Sequence, residues 1–225
     1  MRVFLSFLLL TLPLVAAKKE EEAVTRLGEA SNVFSEIMQT PDKGIPTDLL
    51  DKSHCIVIVP GLKKGAFIIG GKYGKGFLSC RDSNGWSAPG AIRVEGGSVG
   101  FQIGASETDV VMLVMNQRGA DRLLSSQFTL GGEGEVAAGP VGRTTSAQTD
   151  AKMTAEILSW SRSRGVFAGL SLQGATLRED KDTNAELYHK PLENREIVKG
   201  GVTAPPEAQR LISLLSRYSA HEKAE

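Results

Sequence analysis

The chain predicts an α+β fold: a curled antiparallel β-sheet, barrel- or sandwich-like, flanked by N-terminal and C-terminal amphipathic helices. Three observations carry this expectation. Helical apolar spacing is concentrated at the two ends, β-branched runs broken by glycine fill the middle, and no internal repeat divides the chain.

The first segment, MRVFLSFLLLTLPLVAA, has one basic residue, Arg2, then an apolar run from Val3 to Val15 and two alanines before the charged KKEEE. That is the layout of a secretory signal peptide, with cleavage expected after Ala17. A retained anchor needs about 20 apolar residues to cross a bilayer, and this run is shorter and holds Pro13. The organisation expected is residues 1–17 as signal peptide and 18–225 as one domain, exported to the periplasm or outside the cell.

From Lys18 to Met38, apolar residues at Val24, Leu27, Ala30, Phe34, Ile37 and Met38 fall on one helical face. Its first turn is mostly acidic, so packing on the protein's own core is favoured over insertion into a membrane surface. A short helix is expected over Pro46 to Lys52, with Thr47 as its cap. Strands follow: CIVIVP from Cys55 to Pro60 has the composition of a fully buried strand, and Gly65 to Cys80 is a longer one with glycines that mark bulges or a bend. Asn84-Gly85 supplies a tight turn. Ala91 to Gly104 continues as strand, Asp109 to Met115 is buried strand, and Asn116 caps a helix through Leu124. Lys152 to Ser163 and Val166 to Leu177 read as two strands joined at Ser163-Arg164-Gly165. A short helix near Asn184 to His189 and an amphipathic one from Pro205 to Tyr218 close the chain.

With 26 basic and 26 acidic residues the chain is neutral, which argues against nucleic acid as a partner. The two cysteines, Cys55 and Cys80, suit an oxidising compartment; spacing leaves open whether they form a disulfide or two buried thiols. Neither has metal-ligand spacing with His54, His189 or His221, so no metal or other cofactor is expected.

Gly96-Gly97-Ser98-Val99-Gly100 matches the G-x-S-x-G pattern of a nucleophilic serine, which works only on a strand–turn–helix elbow. Bulky residues alternate with small ones through Gly104, so strand is expected there and Ser98 as a hydrolase nucleophile is the remote alternative. AFIIGGKY from Ala66 to Tyr73 approaches a phosphate loop but lacks its first glycine and its Ser or Thr. No enzyme chemistry is evident.

GGSVGFQIGASETDVVMLVMN (Gly96 to Asn116), IVPGLKKGAFIIGGKYGKGFLSCR (Ile58 to Arg81) and SRSRGVFAGLSLQGATL (Ser161 to Leu177) resemble the SYLF domain family over nearly the whole mature chain. The resemblance implies a non-catalytic, lipid-binding domain for phosphoinositides or other anionic phospholipids; some eukaryotic members also bind actin. An exported member with no appended SH3 or zinc-finger module would not meet cytoplasmic actin, so actin is an unexpected partner and an anionic phospholipid surface the expected one. A phosphate headgroup needs clustered cations. The candidates are Lys63 and Lys64 after Pro60, Lys72 and Lys75 in the glycine-rich strand, and Arg162 and Arg164 around Ser163. The bland alternative is ordinary solvated charge. Lys72 and Lys75, three apart, share a face only where the glycines bend the strand. A structural or protein-interaction module of the cell envelope is the other function class, and oligomeric state is open.

Overall fold

The structure is a computed structural model that describes residues 11–40, 44–66, 69–82, 85–99, 104–132, 136–139, 155–163, 166–167 and 172–219. Helix α1 (Thr11–Gln39) begins earlier than the apolar spacing indicated, and its buried stripe is Ala23, Leu27, Ala30, Val33, Phe34 and Ile37. Helix α2 (Thr47–Lys52) starts at the residue expected to cap it; Pro46 takes the cap position, with no side-chain hydrogen bond.

Then come β1 (Cys55–Ala66), β2 (Ile69–Asp82), the two-residue β3 (Gly85–Trp86), β4 (Gly90–Val99) and β5 (Gly104–Val114). Asn116 caps α3 (Gln117–Leu123) as its sequence position indicated, its Oδ1 accepting the Gly119 N–H at 2.8 Å. After β6 (Gln127–Thr129) and β7 (Val136–Ala138) come β8 (Ile157–Ser163), β9 (Val166–Phe167) and β10 (Thr176–Glu179). The chain ends with α4 (Lys181–Tyr188), α5 (Asn194–Lys199), a 3₁₀ turn (Pro206–Ala208) and α6 (Gln209–Tyr218). His189, expected inside α4, instead ends it in the left-handed conformation at φ 53°.

These strands form one strongly curled sheet in the order β6-β10-β4-β2-β1-β5-β8-β7, antiparallel except where β7 runs parallel to β8. The α+β class, the curled sheet and the terminal helices are as the sequence indicated. The second strand expected after Ser163 is instead two. β9 stays beside β8, whereas β10 lies across the sheet between β4 and β6.

The continuous apolar runs are explained by burial on both faces. On one, Ile56, Ile58, Phe77, Val111, Leu113 and Trp160 pack beneath α1 and α6. On the other, Val57, Val59, Val94, Val110, Met112 and Leu177 meet α3, α5 and the sheet's own far strands. Phe34 of α1 also meets Tyr218 of α6 edge to face, ring centroids 5.9 Å apart. Cys55 and Cys80 stand opposite each other on β1 and β2 and are joined as a disulfide.

One extra residue interrupts β1. Ile58 pairs with Phe77 but Lys63 with Tyr73, and Val59 pairs with Val110 but Leu62 with Thr108, which puts the bulge at Pro60–Gly61. Gly61 adopts φ 56°, and its N–H donates to Asp109 Oδ1 at 3.0 Å. Opposite the bulge β2 comes so close that a Cβ on Gly76 would lie 2.1 Å from the Ile58 carbonyl oxygen and 2.8 Å from Val59 Cα. Because those neighbours are backbone, a side chain there forces the strands apart. Gly76→Ala is therefore expected to destabilise by about 3 kcal/mol, measured as a lower urea midpoint at unchanged slope. Replacing both cysteines by alanine releases a bridge spanning 25 residues and is expected to lower stability by about 3 kcal/mol on the same assay.

Candidate functional site

The bulge decides which way the basic residues of β1 face. Before it, Val57 and Val59 point to the side of the sheet away from α1; after it, Leu62 does, and Lys64 follows Leu62. Lys64 is thereby directly opposite Lys72 on β2, with Ser106 of β5 on its other side. Lys63 falls on the opposite face, between Tyr73 of β2 and Glu107 of β5. The distal end of the β1–β2 hairpin thus carries three lysines within two adjacent rungs.

Their surroundings differ. Lys63 is exposed and Lys64 half-buried, whereas Lys72 is only 7% exposed. Burial, and then the charge of Lys64, hold the Lys72 ammonium below the usual lysine pKa. Tyr73 is 48% exposed, the one exposed large hydrophobic side chain among the described residues. Sequence reading singled out the lysines and missed Tyr73.

The remaining candidates have other duties. Lys75 faces away from Lys72, so the glycines do not bring the two onto one patch. Its Nζ is 2.8 Å from Asp180 Oδ2, which ties β2 to the N-cap of α4. Arg162 of β8 contacts Asp109 Oδ2 at 3.2 Å and also Glu36 of α1. Burial disfavours the Arg162 charge, but hydrogen bonds to Glu36 and Asp109 raise its pKa overall. Since Asp109 also holds the Gly61 bulge, Arg162 couples the bulge to α1. Arg164 lies outside the described residues. Ser98 belongs to β4, its backbone paired with Gly70 of β2, and the strand continues to Val99. It therefore does not stand at a strand-to-helix elbow.

Asp180 is the most buried carboxylate of these contacts, its side chain 3% exposed. Burial alone would raise its pKa. The hydrogen bond and charge of Lys75, with two bonds from Thr183, outweigh that and bring it below the usual carboxylate range. A carboxyl group depressed on folding stabilises at pH values above its unfolded pKa of about 3.9, and this contribution is lost as the pH falls through the folded value. Asp180→Asn is accordingly expected to lower stability at neutral pH and to flatten the acid decline below about pH 4, read from urea midpoints across a pH series.

A family model described as "Ysc84: Las17-binding protein actin regulator" matches residues 95–218. SH3 domain-containing YSC84-like protein 1 of Rattus norvegicus is 33% identical over 196 residues, covering 85% of this chain and 57% of that protein. SH3 domain-containing YSC84-like protein 1 of Xenopus laevis is 34% identical over 182 residues, covering 80% and 54%. Protein YSC84 of Saccharomyces cerevisiae is 34% identical over 179 residues, covering 77% and 38%. The chain thus spans about half the length of the curated relatives it matches. The expectation that actin is out of reach finds no support in these matches, because the family description itself names actin regulation. This chain belongs to the Ysc84 family, the SYLF-domain family that its glycine-rich motifs resemble.

Proposed function

We propose that the chain is a non-catalytic domain that binds anionic phospholipid surfaces through the distal end of the β1–β2 hairpin. The observation that carries this reading is the placement of Lys64 opposite the buried Lys72, with Lys63 beside the exposed Tyr73. Two lysines on one rung in a partly desolvated setting raise the local positive potential, which favours an anionic surface nearby. An exposed tyrosine adjoining lysines suits the boundary between headgroups and acyl chains, where its apolar ring and polar hydroxyl are both accommodated. Each lysine near an anionic bilayer contributes about 1 kcal/mol, so attachment by this patch is reversible and sensitive to salt.

Export after cleavage at Ala17 belongs to the same proposal. Residues 17 to 22 are exposed, and cleavage after Ala17 removes none of the buried stripe from Ala23 to Ile37. No helix among the described residues is long and apolar enough to cross a membrane.

A second reading follows from the family. The description of its model names Las17 binding and actin regulation, so a role as a protein-interaction module of the actin machinery is the competing class. Co-sedimentation separates the two. With vesicles containing phosphatidylserine, the protein is expected to pellet, to be released by raised salt, and to lose affinity about thirtyfold in the Lys63→Glu/Lys64→Glu variant. Pelleting with actin filaments but not with vesicles would reject the lipid reading in favour of the second.

A further inference from the structure

Where β4, β10 and the first turn of α4 meet, on the side of the sheet opposite to Lys72, a cavity of about 300 Å³ opens to solvent. It is lined by Arg93, Ser126, Arg178, Glu179, Lys181 and Asp182. Arg93 and Arg178 stand directly opposite each other on β4 and β10, and Lys75 opposes Arg93 from β2. Like charges directly opposed across a ladder destabilise a sheet, so such a row needs compensation. Lys75 is paired with Asp180. The two arginines share one carboxylate: Glu95 Oε1 lies 2.9 Å from Arg93 Nε, and its Oε2 lies 3.4 Å from Arg178 Nε.

In each arginine Nε is the nitrogen nearest Glu95, and among the described residues neither guanidinium has another partner. Glu95 thus pairs by charge with both arginines, while the buried Arg93 Nε makes no hydrogen bond, and both guanidinium side chains line the cavity. Paired forks of this kind match an anion with several acceptor oxygens. A phosphate monoester carries three such oxygens and a charge near −2 at neutral pH, enough to meet both arginines at once. Ser126, from the turn before β6, brings a hydroxyl to the wall.

The rim narrows the choice of ligand. Lys181 is held 2.6 Å from Glu193 Oε1, and Glu179 accepts the Asn194 backbone N–H. Glu179 and Asp182 add carboxylates to the lining, so an anion is held only where it meets both arginines. The volume is at the lower end of the roughly 300–1,000 Å³ typical of small-molecule sites.

We propose that this cavity binds a small soluble phosphate monoester, with Arg93 and Arg178 as anchoring groups and Glu95 as the carboxylate that positions them. The inference does not rest on the membrane reading. Titration of the full chain with inorganic phosphate and with O-phosphoethanolamine, followed by calorimetry and by amide NMR shifts, is expected to give saturable binding with shifts centred on β4 and β10. Arg93→Gln with Arg178→Gln should weaken it at least about tenfold, and Arg178→Lys, which keeps the charge and removes the fork, should also weaken it should the double variant fail to fold. Absence of saturable binding to either probe, or undiminished binding in a folded Arg93→Gln/Arg178→Gln protein, would overturn the proposal. So would vesicle capture that depends on the two arginines without any response to soluble phosphates.

Discussion

The extra residue at Pro60–Gly61 governs the rest of the molecule, because it resets the parity of β1 halfway along its length. Without it Leu62 would leave the core and the two lysines after it would exchange faces. Three neighbours make it possible. Gly74 and Gly76 give β2 room, since a Cβ on Gly74 would meet Leu62 Cδ1 at 2.8 Å and Val59 Cγ1 at 2.9 Å. Asp109 takes the Gly61 N–H that the ladder no longer uses. Through Arg162 the same carboxylate reaches Glu36, so a backbone irregularity in the centre of the sheet is braced against α1.

A second brace explains how the C-terminal helices reach β4. Asn184 of α4 and Asn194 of α5 are both buried, and both bond the backbone of Ala91: Asn184 Oδ1 accepts its N–H at 2.7 Å, and Asn194 Nδ2 donates to its carbonyl at 3.0 Å. The two side chains also bond each other at 2.8 Å. Gly90 is needed next to them, because a Cβ there would meet Asn194 Oδ1 at 2.5 Å. Fully satisfied buried amides of this type fix one arrangement, since any slip leaves desolvated donors unpaired.

Local signals account for what could be read in advance. Runs such as CIVIVP and DVVMLVM, the Asn116 cap and the apolar spacing of α1 and α6 are properties of a few neighbouring residues, and each forms where its chemistry placed it. The short strands β6 and β7 and helix α5 escaped notice because each has too few residues to show a period, and each is stabilised by partners distant in sequence. Register was hidden for the same reason. Lys63, Lys64 and Lys72 were legible as cations, but which of them face each other depends on the bulge. Arg93 and Arg178, 85 positions apart, become neighbours only because β10 crosses the sheet to lie beside β4. Lys75 and Arg162 are equally legible as surface cations, yet both are drawn into internal ion pairs by carboxylates on other elements.

The same packing limits how such a domain can meet a membrane. Helix α1 buries Leu27, Val33, Phe34 and Ile37 along with two alanines against the sheet and α6. Exposing the four larger side chains costs about 2 kcal/mol each, and the sheet residues beneath them would be uncovered too. The sum is comparable to the 5–15 kcal/mol or so that holds a typical domain together. Releasing α1 into a bilayer would therefore amount to unfolding the sheet it covers, and would also break the Arg162 brace that supports the bulge. A membrane-bound state with α1 docked needs no such change. In the membrane-bound state proposed above, the contact is the end of the hairpin, where the bulge places Lys63 and Lys64 on opposite faces.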